Sequence, residues 1–155
     1  MDKIDSFQEL PEMEYEIAKT LLETGKSLGC KIVFKTRALK NLPKRYRIIF
    51  NKRENNKALF WMEIVDDTLL VKANLLHIDD YADKMPACSD TIKQSITATK
   101  ECENCHPHCG SLHLSYRIDK VKYTPCYFKG HYFSQMDEDD WIMLRDLLVL
   151  ENAVV

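Results

Sequence analysis

The sequence predicts an α+β domain built on an antiparallel sheet, and three observations support this prediction. Four segments between residues 31 and 75 are rich in apolar side chains and mostly alternate them with polar ones, which is typical of strands. Helical patterns flank this block of strands instead of alternating with them, which argues against a doubly wound parallel sheet. The chain of 155 residues is 45% hydrophobic and shows no linker or internal repeat, so residues 1–155 are expected to form a single domain.

The predicted element order is α-ββββ-α-ββ-α, a four-strand meander and a C-terminal hairpin with the helices packed on one face. The first helix is expected to begin at Pro11, since proline suits the first helical position, and to end near Gly25. Apolar residues recur at helical spacing from Leu10 to Leu22, and glutamates in the first turn suit the positive end of the helix dipole.

The four strands of the meander follow. Ile32 and Phe34 alternate with basic residues in the first, and Tyr46, Ile48 and Phe50 do so in the second. Residues 58–65 are apolar almost throughout and are predicted to form the central strand. Asp-Asp at 66–67 has turn chemistry, and a fourth alternating strand is expected to continue to residue 75.

Three further elements are expected after the meander. A helix capped by Ser89 or Asp90 should run into residues 101–102. Strands at 112–118 and 121–127 flank Asp119 and Lys120, a two-residue connection typical of a hairpin. The last helix should begin near Asp137, where four consecutive acidic residues favour a helix N-terminus.

A cysteine cluster is the strongest chemical signal in the chain. Cys102, Cys105 and Cys109 follow the pattern C-x2-C-x3-C, and a C-x2-C pair can direct two thiolates at one zinc ion. If the hairpin turns at residues 119–120, Cys126 lies opposite His113 and returns to this loop. These four cysteines are therefore predicted to hold a structural zinc ion, with nearby histidines as substitutes or supporting groups.

Three other interpretations of the cysteines stay open: reduced thiols without a metal, a thiol–disulfide switch, and an iron–sulfur cluster. Cys102 follows a helix and does not begin one, so it lacks the helix dipole that lowers the pKa of thioredoxin-like thiols. Cys30 and Cys88 have no partner nearby in sequence and are expected to be small buried side chains.

Basic residues are concentrated in one part of the chain. Residues 26–57 contain eleven lysines and arginines against one acidic residue, whereas residues 1–25 and 137–155 are both acidic. Strand alternation places Lys35, Arg45 and Arg47 on one sheet face, and Trp61 can join them. This face is predicted to bind a small anionic or aromatic ligand or a protein partner. Single-stranded nucleic acid is the alternative, but the net charge of −2 does not favour it.

Several function classes are not supported by the sequence. Apolar runs are too short for a membrane span, and the start of the chain does not resemble a secretory signal, so a cytoplasmic location is expected. There is no glycine-rich phosphate loop. Cys105 and His106 are adjacent in sequence, which is not the spatial arrangement that a Cys–His nucleophile needs, and paired aspartates are explained by turns and helix starts. A binding or regulatory domain is therefore favoured over an enzyme.

The meander at residues 46–64, the three clustered cysteines, Tyr123 and Cys126 resemble a family of small uncharacterised bacterial α+β proteins. The resemblance covers roughly residues 30–150. It supports the grouping of the four cysteines and implies no reaction.

Overall fold

The computed structural model describes residues 3–37, 40, 45–100 and 113–154. Its α-helices are α1 (Glu12–Ser27), α2 (Asp90–Thr97) and α3 (Glu138–Ala153), with 3-10 helices at Lys3–Phe7 and Ile78–Ala87. Its strands are β1 (Lys31–Arg37), β2 (Arg45–Asn51), β3 (Ala58–Val65), β4 (Thr68–Ala73), β5 (Tyr116–Ile118), β6 (Val121–Tyr123) and β7 (His131–Ser134). The α+β class is confirmed.

The main sheet is antiparallel and has the strand order β1-β2-β3-β4-β7, which confirms β3 as the central strand. The connection between β3 and β4 is a tight turn in which Asp66 and Asp67 both have positive φ angles, 50° and 60°. Such turns match the right-handed twist of a hairpin. β5 and β6 form a separate two-stranded sheet, with Asp119 and Lys120 in the same left-handed conformation.

One face of the main sheet is covered by helices and carries the core. Phe50, Phe60, Met62 and Phe133 lie on this inner face and are fully buried. Helix α1 packs against it, and its Glu14 side chain accepts a hydrogen bond from the backbone N–H of Leu69 at 3.3 Å. The opposite, open face holds the side chains that the sequence predicts for ligand binding.

Several expectations about element boundaries are wrong. α1 begins at Glu12, with Pro11 as its N-cap, and β4 ends at Ala73 and not at residue 75. Gly25 does not end α1, because the helix continues to Ser27 and packs this glycine against the ring of Phe50. α2 ends at Thr97 and does not run on to residue 101. The strands of the hairpin have three residues each, shorter than expected. β7 is an additional strand that the sequence pattern did not predict.

Helix α2 is fixed at its start by Ser89. Its hydroxyl accepts a hydrogen bond from the backbone N–H of Ile92 at 3.2 Å and donates one to the Asp140 carboxylate of α3 at 2.5 Å. One side chain thus caps α2 and ties it to the first turn of α3. The C-terminal end of α2 lies beside β7, where Nδ1 of His131 is 3.2 Å from the carbonyl oxygen of Ile96.

Candidate functional site

Two rows of side chains cross the open face of the five-stranded sheet. The strand register gives the first row as Val33, Ile49, Trp61, Lys72 and Tyr132, and the second as Lys35, Arg47, Glu63, Leu70 and Ser134. Directly opposed residues in neighbouring strands have side chains in contact range. Cations and aromatic rings therefore lie side by side near the middle of this face.

The four residues predicted for ligand binding all belong to this open face. Lys35 is exposed and opposes Arg47 across β1 and β2, and Arg45 opposes Arg37 at the same end of these strands. Trp61 lies one strand further on, opposite Ile49. The sequence thus places these residues on the correct side of the sheet, but it does not reveal which of them contact each other.

Arg47 and Trp61 contact each other directly. The guanidinium carbon of Arg47 lies 3.9 Å from the centroid of the indole ring, a cation–π arrangement. Its Nε also donates a hydrogen bond to the Glu63 carboxylate at 2.8 Å. Glu63 is only 3% exposed although it lies on the open face. The negative charge of Glu63 balances the positive charge of Arg47. Arg47 therefore has no unpaired charge with which to bind an anionic ligand.

Lys72 and Tyr132 extend the row beyond Trp61, and sequence reasoning missed both of them. The Trp61 and Tyr132 rings meet edge to face with centroids 6.2 Å apart, and the Lys72 ammonium lies 6.0 Å from the Tyr132 centroid. Burial lowers the pKa of Lys72, and the positive charge of Arg47 lowers it further. The alternation of β4 could have placed Lys72 on the open face, but Tyr132 lies in the unpredicted strand β7.

The first row, which contains Trp61 and Tyr132, ends in a cleft of about 500 Å³ between the C-terminal end of α2 and β7. Its lining residues include Lys72, Thr99, Lys100, Phe128, Lys129 and Tyr132. No acidic side chain is among the described residues that line it. The cleft therefore has a positively charged wall beside aromatic surface.

The wall of this cleft is held by a polar contact to the core. The Thr99 hydroxyl donates a hydrogen bond to the Gly130 carbonyl at 2.7 Å and lies 3.1 Å from Nδ1 of His131. His131 is fully buried, and burial lowers the pKa of its imidazole, partly opposed by the carbonyls of Leu75 and Ile96. A neutral histidine thus stands behind Thr99 at neutral pH.

Cys126 is the one predicted metal ligand that lies within the described residues; Cys102, Cys105 and Cys109 fall outside them. Cys126 is buried and forms a β-bridge with His113, the pairing expected from the hairpin register. Its backbone N–H also donates to the carbonyl of Lys100 at 3.3 Å. The two described residues that bound segment 101–112, Lys100 and His113, therefore both contact Cys126.

The described residues by themselves contain no group of three histidine, cysteine or acidic side chains that could hold a metal ion. Cys30 and Cys88 are buried as expected, and burial raises the pKa of each thiol. A raised pKa leaves less of the reactive thiolate at neutral pH. Neither cysteine is suited to act as a nucleophile.

Fold and site together define the chain as an α+β domain with a basic and aromatic open sheet face. Comparisons with protein-family models, curated proteins and solved structures find no match to the chain. The resemblance to small bacterial α+β proteins therefore stays a prediction. Within the described ranges, no helix is long and apolar enough to cross a membrane.

Proposed function

We propose that this chain is a cytoplasmic binding domain whose open sheet face recognises a small ligand that combines an aromatic ring with an anionic group. The observation that carries the proposal is the cross-strand row of Trp61, Lys72 and Tyr132. Two aromatic side chains flank a half-buried cation there, on the face opposite the core. A planar anion can stack on the rings while its charge is neutralised.

The charges of the open face support an anionic ligand. Within the described residues, no ion pair involves Lys35, Arg45 or Lys72, whereas Arg47 is paired with Glu63. Lys72 is the cation next to the aromatic rings, and burial and the like charge of Arg47 both lower its pKa. A half-buried cation that has no ion-pair partner is stabilised when an anion joins it.

Single-stranded nucleic acid is less suited to this face. Proteins that bind it stack successive bases on exposed rings, but one face of Trp61 is already covered by Arg47. The chain also has a net charge of −2, whereas nucleic-acid-binding domains are usually basic overall. A small ligand requires only one ring and one charge, which the row from Trp61 to Tyr132 supplies.

The test is a titration of the 155-residue chain with phenyl phosphate, monitored by NMR through its backbone and indole N–H signals. We expect saturable shifts at Trp61, Lys72 and Tyr132, and weaker binding by a Trp61→Leu variant. Tyr46→Leu is the matched control, since Tyr46 is 44% exposed but lies in β2 with the side-chain parity of the inner face. Saturable binding that leaves the open face unshifted would contradict the proposal.

A single-stranded oligonucleotide serves as the comparison ligand in the same titration. Binding that is tighter than that of phenyl phosphate and weakens steeply with salt would replace the small-ligand proposal with nucleic-acid binding. We expect no saturable binding of the oligonucleotide at physiological salt.

We also propose that Cys102, Cys105, Cys109 and Cys126 hold one structural zinc ion. The support is the position of Cys126, which contacts both Lys100 and His113. Cys102 is two residues from Lys100 and Cys109 is four residues from His113 in sequence. A short chain distance limits how far each thiol can lie from Cys126, and four thiolates would complete a closed tetrahedral site.

Elemental mass spectrometry on protein purified without a chelator or a metal-affinity column tests the zinc proposal. We expect about one zinc ion per chain, because a closed four-thiolate site binds one ion, and loss of the ion in Cys126→Ser. Cys88→Ser is the control, since this buried thiol lies outside the cluster and its loss should leave the metal in place. Metal-free protein with a reducible cysteine pair would instead support a thiol-based redox protein.

A further inference from the structure

The cleft between the C-terminal end of α2 and β7 has the features of an oxyanion site. It adjoins the row of Trp61, Lys72 and Tyr132, and its lysines come from three separate parts of the chain: Lys72 in β4, Lys100 after α2, and Lys129 before β7. Lys72 and Lys100 reach the cleft from distant segments and concentrate positive potential there, since no acidic side chain is among the described residues of the lining.

Lys72 is directed into this cleft by its contact with Gly130. A Cβ atom added at Gly130 would lie 2.5 Å from Cε of Lys72 and 2.8 Å from Oδ1 of Asn74. Gly130 also has a φ angle of +67°, which side chains rarely adopt. The lysine stem therefore packs on bare glycine backbone, and this contact fixes its course toward the cleft.

The aromatic surface beside the lysines is unusually exposed. Phe128 is 54% exposed and Tyr132 is 49% exposed, and both line the cleft. The Thr99 hydroxyl lies at the same wall, held by its hydrogen bond to Gly130. An oxyanion between the lysines thus has two rings close by. The rings can cover a planar group attached to that oxyanion.

We propose that this cleft binds the phosphate group of an aromatic phosphate monoester, with Lys72 and Lys100 as its main cationic contacts and the aromatic part of the ligand on Tyr132. The inference rests on the proposed function, because it assigns the anionic group of that ligand to a place. A phosphate monoester carries up to two negative charges and three acceptor oxygens. It therefore matches several lysines better than a carboxylate, which has one charge and two oxygens.

The experiment compares phenyl phosphate with benzoate and inorganic phosphate by NMR titration of the 155-residue chain. We expect phenyl phosphate to bind most tightly and to shift the signals of Thr99, Gly130 and Tyr132. Benzoate that binds as tightly as phenyl phosphate would overturn the assignment of a phosphate. Inorganic phosphate that binds as tightly would overturn the role of the aromatic surface.

Lysine variants locate the anionic group. Lys72→Met keeps the aliphatic stem that packs on Gly130 and should weaken phenyl phosphate binding by about tenfold or more, since a charge-assisted hydrogen bond is lost. Lys100→Met tests the same site at an exposed position, where folding is not at risk. Lys122→Met, on the exposed side of the hairpin, is the matched control and should bind normally.

The possible results separate this inference from the proposed function. Saturable shifts at Trp61 and Lys72 that Lys72→Met weakens but Lys100→Met does not would overturn the cleft and retain the row of Trp61, Lys72 and Tyr132 as the ligand site. Shifts at Thr99 and Gly130 that both variants weaken would support the cleft. An absence of saturable binding for all three probes would overturn both.

Discussion

The guanidinium of Arg47 lies over the indole of Trp61, 3.9 Å from its centroid, and donates to the buried carboxylate of Glu63 at 2.8 Å. Arg47 and Glu63 oppose each other in β2 and β3. Trp61 lies two residues before Glu63 in β3, so their side chains are on the same face of the sheet. The arginine therefore stabilises a buried charge and covers one face of the indole at the same time. Its loss should affect stability more than the loss of any exposed cation.

Arg47→Ala is expected to destabilise the fold by roughly 2–3 kcal/mol, because it leaves Glu63 buried and without its charge partner. This value is below that of a fully buried pair, since the Arg47 side chain is 20% exposed. Urea unfolding followed by circular dichroism measures the change. Lys26→Ala is the control: its pair with Glu23 is exposed, so no measurable change is expected.

A double variant separates the ion pair from simple loss of packing. Arg47→Ala combined with Glu63→Gln should cost less than the two single changes added together, because the second change removes the unpaired charge. Additive costs would show that the Arg47–Glu63 contact contributes nothing beyond the two side chains taken separately.

We expect the buried Tyr81 hydroxyl to make the fold less stable in alkaline solution. It donates to the Glu151 carboxylate at 3.1 Å, and both residues are buried. Burial raises the pKa of Tyr81 far above its usual value, and the negative charge of Glu151 raises it further. A raised folded pKa means that the contribution to stability is full below about pH 10, the unfolded value, and is lost as the pH rises above it.

Ultraviolet absorbance titration of the tyrosines checks this expectation. Of the seven tyrosines, Tyr81 should ionise only when the protein unfolds, and Tyr116 should ionise late, because burial raises its pKa to about 12. Tyr81→Phe should flatten the decline of unfolding free energy above pH 10. If all seven tyrosines ionised together near pH 10 in folded protein, the buried position of these hydroxyls would be wrong.

We expect the buried imidazole of His131 to make the fold less stable in mild acid. Its imidazole is fully buried, and burial lowers its pKa below the usual value of 6.5. The unfolded chain therefore takes up a proton more readily than the folded one. The contribution to stability is full above about pH 6.5, the unfolded value, and is lost as the pH falls from there through the lower folded pKa.

The unfolding free energy of the protein and of His131→Gln, measured between pH 8 and pH 5, tests this contribution. The difference in unfolding free energy between the protein and the variant should shrink as the pH falls below 6.5, since the variant lacks the imidazole of His131. A difference that stays constant over this range would show that His131 does not titrate differently in the folded and unfolded states. The NMR signals of its ring, which should titrate at a lower pH in the folded protein than in the unfolded chain, give an independent check.

Local signals in the sequence were sufficient for most of the strands and turns. Period-two alternation identified β1, β2 and β4, and the aspartates at 66–67 marked the turn between β3 and β4. The hairpin centre at residues 119–120 was enough to pair Cys126 with His113. In each of these cases the structure is determined by neighbours in the chain, so the pattern of side chains is sufficient.

Long-range pairing was not accessible in the same way. β7 has only four residues, His131–Ser134, and becomes a strand because it pairs with β4, more than fifty residues earlier. Tyr132 was missed for this reason. The contact of Arg47 with Glu63 depends on the β2–β3 register, which shifts at an irregularity between Phe50 and Asn51. The side-chain pattern of one strand cannot predict such a register shift, because the shift depends on how the two strands pair.

Gly25 illustrates how packing can override a signal that is usually reliable. Glycine often marks the end of a helix, but here it lies inside α1, and a Cβ atom at this position would overlap Cδ1 of Phe50. Phe50 cannot withdraw easily, since it is fully buried and stacks on Phe60 with ring centroids 4.2 Å apart. The helix instead ends before Gly29, which has a φ angle of +76°.

Two substitutions by alanine distinguish these roles. Gly25→Ala should destabilise the fold by roughly 1–3 kcal/mol through overpacking, despite the better helix propensity of alanine. Gly29→Ala has open space around it and should cost only about 1 kcal/mol, from the left-handed backbone. Adding Phe50→Leu should relieve much of the cost of Gly25→Ala and none of that of Gly29→Ala. If both substitutions lowered the free energy of unfolding equally and Phe50→Leu relieved neither, the contact with Phe50 would not be the reason why residue 25 must be glycine.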